Sequence, residues 1–162
     1  MKTIALIIPY FGELPNYFDY WFESAKKNDT IDFLIFTDNI IESSSKNIKI
    51  YNMSFDNLKE MIQSKFDFKI FLENPARDIC LFKPAYGLVF SEYIKNYDFW
   101  GFCDVDLIFG DIRSFITDEI LSTHDKILSH GHFTLLRNNE EMNSLFNKNE
   151  YTNIDEEIFK ND

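Results

Sequence analysis

The sequence predicts one α/β domain built on a mostly parallel sheet, on three observations. Short apolar, β-branched runs recur at residues 3–9, 32–37, 47–53 and 98–103. Segments with helical spacing separate them. Polar residues gather where the runs end, at Pro9-Tyr10, Thr37-Asp38, Asp104-Val105-Asp106 and His130-Gly131-His132. Strands alternating with helices are the signature of parallel pairing, and ligands in such sheets bind beyond the carboxyl ends of the strands. The chain of 162 residues suits a single domain, 1–162, with no second unit.

Each element has a local reason. Residues 3–9 form an uninterrupted apolar run, as in a strand covered on both faces, and Pro9 to Gly12 ends it. Asn16 is the expected N-cap of a helix reaching Lys27, with Tyr17, Tyr20, Trp21 and Ser24 at helical spacing. Residues 32–37 make a second buried strand that stops at Asp38-Asn39. The serine-rich stretch 40–46 is a loop, and 47–53 a short third strand. Ser54 is expected to cap a helix running to Lys65 or Asp67, with Asn57 giving part of a capping box. Asn74-Pro75 is expected to break the chain. One helix is expected over 82–97, with Lys83 and Pro84 in its first turn, where proline is tolerated. Residues 98–103 are a buried strand, and Asp111 caps a short amphipathic helix over 111–121. Residues 126–129 and 133–136 read as two more strands, and the remainder as polar and helical or frayed.

Composition narrows the function. The formal net charge is -11 and no basic stripe is present, which sets nucleic-acid binding aside. An acidic protein that handles an anionic nucleotide needs a divalent cation or a few well-placed basic residues. Cys80 and Cys103 each sit in an apolar run and read as small core residues. The N-terminal apolar run is too short for a signal peptide, and no stretch approaches the roughly 18 apolar residues of a membrane span. A cytoplasmic protein is expected, with contact to the inner membrane face or to a protein partner left open.

The strongest chemical signal is Phe99-Trp100-Gly101-Phe102-Cys103-Asp104-Val105-Asp106. Residues i and i+2 of an extended segment point to the same side, so both carboxylates can face one cation. Mg²⁺ and Mn²⁺ prefer oxygen ligands and are often held by one or two carboxylates plus substrate phosphates. Such an ion would join an acidic protein to a diphosphate and act as a Lewis acid on the leaving group.

The block from Asp98 to Ile112 resembles the Asp-x-Asp region of bacterial polysaccharide-biosynthesis glycosyltransferases with a GT-A fold. The resemblance extends upstream through Leu81-Phe82-Lys83-Pro84-Ala85-Tyr86-Gly87 and downstream through Gly131-His132-Phe133-Thr134-Leu135-Leu136-Arg137-Asn138. Ile7-Ile8-Pro9-Tyr10-Phe11-Gly12 looks like the first strand and nucleotide loop. The resemblance implies transfer of a sugar from a nucleotide donor, usually a uridine diphosphate sugar, to a glycan or lipid-linked acceptor. It implies Asp106 as the direct metal ligand and Asp104 on ribose, sugar or a metal-bound water, both counted as catalytic. Pro9, Tyr10 and Phe11 would line the base pocket, Asp38 would bind base or ribose, and Lys83 would approach the phosphates or sugar. His130 or His132, with His132 preferred, would complete the metal or diphosphate site.

Plainer readings stand beside these. Tyr10 and Phe11 also suit the core, Asp38-Asn39 an ordinary strand-ending turn, and Lys83 a surface charge. Arg77-Asp78 reads as an ion pair or cap. A GT-A enzyme has an acceptor-binding half after its Asp-x-Asp strand, and the stretch after Asp106 is short for one. Asp155, Glu156 and Glu157 could supply a base or form a frayed acidic helix. The alternatives are a nucleotide-sugar-binding fragment and a Mg²⁺-dependent haloacid-dehalogenase-like phosphatase, although the latter carries its Asp-x-Asp on the first strand.

Overall fold

The computed structural model describes residues 1–147, and the side chain of His130 is not described. Strand β1 (Ile4–Pro9) is buried from Ile4 to Ile8 and lies inside the sheet. Strand β2 (Asp32–Thr37) pairs parallel with it on one side, and β3 (Ile48–Asn52) pairs parallel with β2. On the other side β4 (Phe99–Cys103) is also parallel to β1. Strand β6 (Phe133–Arg137) runs antiparallel to β4, and β5 (Lys126–His130) antiparallel to β6 at the edge. The order is β3-β2-β1-β4-β6-β5. The fold is therefore α/β with a mostly parallel, mixed sheet. The antiparallel portion follows from the link between β5 and β6, Gly131-His132, which is too short for a crossover.

Helix α1 (Phe18–Lys26) starts after Tyr17, not after Asn16, and has no side-chain cap. Helix α2 (Phe55–Gln63) begins as expected, with the Asn57 N–H donating to Ser54 Oγ at 3.2 Å. Two expectations fail at the next elements. Asn74-Pro75 starts a helix, α3 (Pro75–Leu81), and does not break one. The Asn74 side chain accepts from the Ala76 and Arg77 N–H groups, while Asp78 accepts from those of Asn74 (2.7 Å) and Glu73 (2.9 Å). Proline in the first position loses no hydrogen bond that a helix could make. Burial works against the Asp78 charge, but these backbone donors and the Arg77 guanidinium hold its carboxyl below the usual range.

Residues 82–97 are not one helix. Pro84 has no N–H to give the carbonyl four residues back, so α3 cannot continue through it. A 3-10 turn (Lys83–Ala85) and two short helices, α4 (Tyr86–Val89) and α5 (Ser91–Ile94), follow. Gly87 lets α4 lie on the sheet, since a Cβ there would sit 2.6 Å from the Trp100 ring. Residues 111–121 likewise divide into a 3-10 turn (Ile112–Ser114), capped by Asp111, and α6 (Asp118–Thr123), capped by Thr117. Helix α7 (Glu140–Asn143) follows β6.

Each face of the sheet carries its own core. Phe82, Tyr86, Phe90 and Trp100 fill one, under α2 to α5. Trp21, Phe33, Phe99 and Leu121 fill the other, under α1 and α6. Cys103 is buried as expected, whereas Cys80 is exposed on α3. Among the described residues, no helix is long and apolar enough to cross a membrane.

Candidate functional site

Strands β1, β2 and β4 are parallel, so their carboxyl ends share one edge of the sheet. The β5–β6 turn reaches the same edge because β6 runs back along β4. A cleft of about 220 Å³ opens there, between the loop after β1 and the segment of α3 with its 3-10 turn. Pro9, Tyr10, Phe11, Lys83, Asp104 and Asp106 all line it.

Asp104 is the best-held of these. Its N–H donates to the His132 carbonyl at 2.9 Å, extending the β4–β6 pairing by one residue and drawing the hairpin turn to the cleft. Lys83 Nζ donates to Asp104 Oδ1 at 2.5 Å, and His132 Nδ1 lies 3.1 Å from Oδ2. A carboxylate only accepts, so Nδ1 carries the proton in that contact, and in the neutral ring Nε2 has the lone pair. This carboxylate–imidazole pairing is the one that commonly orients metal-binding histidines. Lys83 also donates to the Gly131 carbonyl at 3.0 Å and lies 5.2 Å from the centre of the Phe102 ring. Its side chain is only 15% exposed, so the plain surface-charge reading of Lys83 fails. Lys83 thus joins β4, the hairpin turn and the 3-10 turn through one ammonium group. Asp106, two residues on, is exposed and makes no hydrogen bond or ion pair among the described residues.

The opposite wall comes from the loop after β1. The Tyr10 N–H donates to the Phe36 carbonyl at 2.8 Å, and its hydroxyl to the Glu13 carbonyl at 3.2 Å. Partial burial, with Tyr17 and Glu13 nearby, raises the Tyr10 phenol. Phe11 is buried and packs on Phe55 with ring centroids 5.7 Å apart. Gly12 turns the loop at φ +91°, a value that glycine adopts without strain. Asp38 is absent from the cleft lining. Its carboxylate accepts the Gly12 N–H at 3.1 Å, and Asn39 Nδ2 donates to the Gly12 carbonyl at 2.8 Å. Asp38 therefore holds the loop that carries Tyr10 and Phe11.

Several lining residues were not expected from the sequence, three of them with polar groups. Tyr17 lies at the cleft although its spacing suits a helix face, Tyr86 forms part of the floor, and Cys80 reaches the rim from α3. Burial pushes the Cys103 thiol well up, which keeps it protonated beside Asp104. Asp155, Glu156 and Glu157 lie outside the described residues.

The donor set limits which cation could be held. Both Asp104 oxygens are engaged, which leaves the Asp106 carboxylate and His132 Nε2 available. Among the described residues, no group of three or more His, Cys, Asp or Glu side chains converges as a metal cage. That arrangement does not suit an ion held by protein alone. It suits Mg²⁺ or Mn²⁺ arriving with phosphate oxygens, where one or two protein ligands suffice.

No curated protein and no solved structure matches the chain. A family profile matches residues 6–162, nearly the whole length, and the chain belongs to that family, DUF6625, a family of unknown function.

Proposed function

We propose that this protein is a metal-dependent glycosyltransferase of GT-A type that takes a sugar from a nucleotide donor, a uridine diphosphate sugar, to a glycan or lipid-linked acceptor. The observation that carries the reading is the free Asp106 carboxylate beside the clamped Asp104, both facing one cleft whose other wall is Pro9, Tyr10 and Phe11. A planar base suits the half-buried Tyr10 and Tyr17, which both line the cleft and offer rigid aromatic rings at little entropic cost. Asp38 keeps that wall in place through Gly12. Asp106 would hold Mn²⁺ or Mg²⁺ together with the donor phosphates, and His132 Nε2 is the second available ligand. When bound, the ion supplies charge neutralisation at the leaving diphosphate. Asp104 fixes the imidazole, and Lys83 offers an ammonium that an incoming phosphate oxygen can share with Asp104.

The ledger of charge supports the same reading. The cleft holds two carboxylates and one ammonium, and the whole chain carries -11. A diphosphate is repelled from such a surface unless a cation accompanies it. Thermal unfolding with uridine diphosphate sugars tests this directly. A donor at a hundred times its Kd adds about 2.7 kcal/mol, or about 5–10 °C for a chain of this size. The shift is expected with Mn²⁺ or Mg²⁺ and absent in chelator. Equal shifts in both conditions, or none in either, refute the reading.

A further inference from the structure

Lys83 and Asp104 form the one ion pair among the described residues with both members lining the cleft. Lys83 is also the least exposed of the paired lysines, 15% against 34% or more for Lys2, Lys26, Lys49 and Lys95. A half-buried ion pair adds little net stability, because desolvation offsets the attraction. Its place in the cleft points to a use in binding.

The ammonium has three N–H donors. Two are spent, on Asp104 Oδ1 at 2.5 Å and on the Gly131 carbonyl at 3.0 Å. The third is left for the cleft that Lys83 lines. Asp104 Oδ2 lies against His132 Nδ1, so Oδ1 is the oxygen that a divalent ion would need, and the ammonium sits on it. An ammonium and a divalent cation compete for one carboxylate oxygen, and their charges repel at contact distance. Asp106 lines the same cleft without a partner among the described residues, but a single carboxylate is a poor site without phosphate oxygens.

The Lys83 stem is long and flexible, and it can swing while its backbone stays. Pro84 follows it, Phe82 and Ala85 beside it are fully buried, and the Tyr86 N–H donates to its carbonyl. When the ammonium leaves, the hairpin turn keeps two other ties to Asp104, through the His132 carbonyl and the His132 ring.

We propose that Lys83 stands in for a metal ion at Asp104 and makes divalent-cation binding conditional on a diphosphate. An incoming phosphate oxygen takes the free N–H, draws the ammonium off Oδ1 and so releases that oxygen to the cation. The inference rests on the glycosyltransferase reading and adds the order in which its site is filled. The exchange makes and breaks no covalent bond.

The test is a titration of the full chain with Mn²⁺ alone, followed by the electron paramagnetic resonance signal of the free ion, with thermal unfolding run on every variant. Wild type is expected to bind Mn²⁺ weakly. Lys83→Met should bind it at least about fivefold more tightly, the lower end of the usual coupling between two ligands. Asp104→Asn added to Lys83→Met should remove that gain, since the released oxygen is lost again. Lys83→Arg keeps the charge and should bind Mn²⁺ as weakly as wild type, which a role in packing alone would not produce. Lys83→Gln, which keeps a donor for the Gly131 carbonyl, is read in the same way if Lys83→Met does not fold. Uridine diphosphate in chelator should bind Lys83→Met more weakly than wild type, whereas uridine should bind both alike. Equal Mn²⁺ affinity in wild type and Lys83→Met overturns the stand-in, as does a gain that survives Asp104→Asn. If wild type still shows a metal-dependent shift with uridine diphosphate sugar, that failure leaves the glycosyltransferase reading in place. No nucleotide response in wild type overturns the inference together with that reading, even where Lys83→Met gains Mn²⁺.

Discussion

The two ends of β4 treat their carboxylates in opposite ways. At the end where the parallel strands begin, Asp98 just before β4 accepts from Lys2 Nζ (2.9 Å), the Thr3 N–H (2.8 Å) and the Thr3 hydroxyl (3.0 Å). Its own N–H donates back to Thr3 Oγ1. Asp32, at the start of β2, accepts from Lys49 Nζ and the Tyr97 hydroxyl, and those two groups also bond to each other. Burial, reinforced by Asp32, pushes the Tyr97 phenol up to about 12. Both of these acids are used in closing the fold. At the opposite end, only five residues beyond Phe99, Asp104 is shared between the Lys83 and His132 side chains and Asp106 has no partner among the described residues. One strand thus carries a structural acid at one end and an available acid at the other. Satisfied carboxylates stabilise; an unsatisfied one beside a cleft is available to a ligand.

Substitutions at the two ends should separate these roles. The largest effect is expected from Asp106→Asn, which should abolish metal-dependent donor binding, a loss of about a hundredfold or more in affinity. Stability of the apo protein should stay within about 0.5 kcal/mol, because the residue is exposed and unpartnered. A variant that fails to fold would make Asp106 structural and erase the contrast between the two ends.

Next in size is the Lys83–Asp104 pair. Lys83→Met should cost about 2 kcal/mol, since it strands a half-buried carboxylate, less than for a fully buried pair because Asp104 keeps some solvent. Asp104→Asn should then cost about 1 kcal/mol less in the Lys83→Met background than in the wild type. Costs that simply add would show that Lys83 holds the hairpin turn through the Gly131 carbonyl alone.

Asp98→Asn should cost about 1 kcal/mol and leave donor binding untouched. Hydrogen bonds to a charged group are worth more in a buried setting, but about a third of this side chain is open to water. The same residue predicts the smallest effect, a pH dependence. Lys2 and the Thr3 N–H hold the Asp98 carboxyl at about 2, against about 3.9 in an unfolded chain. Its contribution is fully present above about pH 4 and is lost as pH falls towards 2, because the unfolded chain takes up the proton first. The stability gap between wild type and Asp98→Asn should therefore close across that window. A gap constant down to pH 2 would mean that Asp98 acts through its shape and not through its charge.

Sequence alone determined the α/β class, four of the parallel strands to within a residue or two, and the placement of Asp104 and Asp106 at a strand's end. These depend on hydrophobic runs and side-chain alternation, which are local and survive without knowledge of neighbours. The cleft composition was legible in part: Pro9, Tyr10, Phe11 and Lys83 line it, and His132 reaches Asp104 beside it, because parallel strands must end together. Tertiary structure decided the rest. Asn74-Pro75 could start or stop a helix, and only the bonds that the Asn74 side chain accepts from Ala76 and the Asp78 carboxylate accepts from the Asn74 N–H settled it. The pattern over 82–97 is helical in spacing, yet Pro84 and the contact of Gly87 with Trp100 divide it. Asp38 holds a loop, in keeping with its plainer reading as a strand-ending turn, and Tyr17, expected on a helix face, lines the cleft, since side-chain direction at a loop depends on what the loop packs against. The split between a satisfied Asp98 and a free Asp106 was likewise invisible in the chain. A carboxylate's partners come from residues far away in sequence, here from Lys2 and Thr3 more than ninety positions distant, and only the folded sheet brings them within reach.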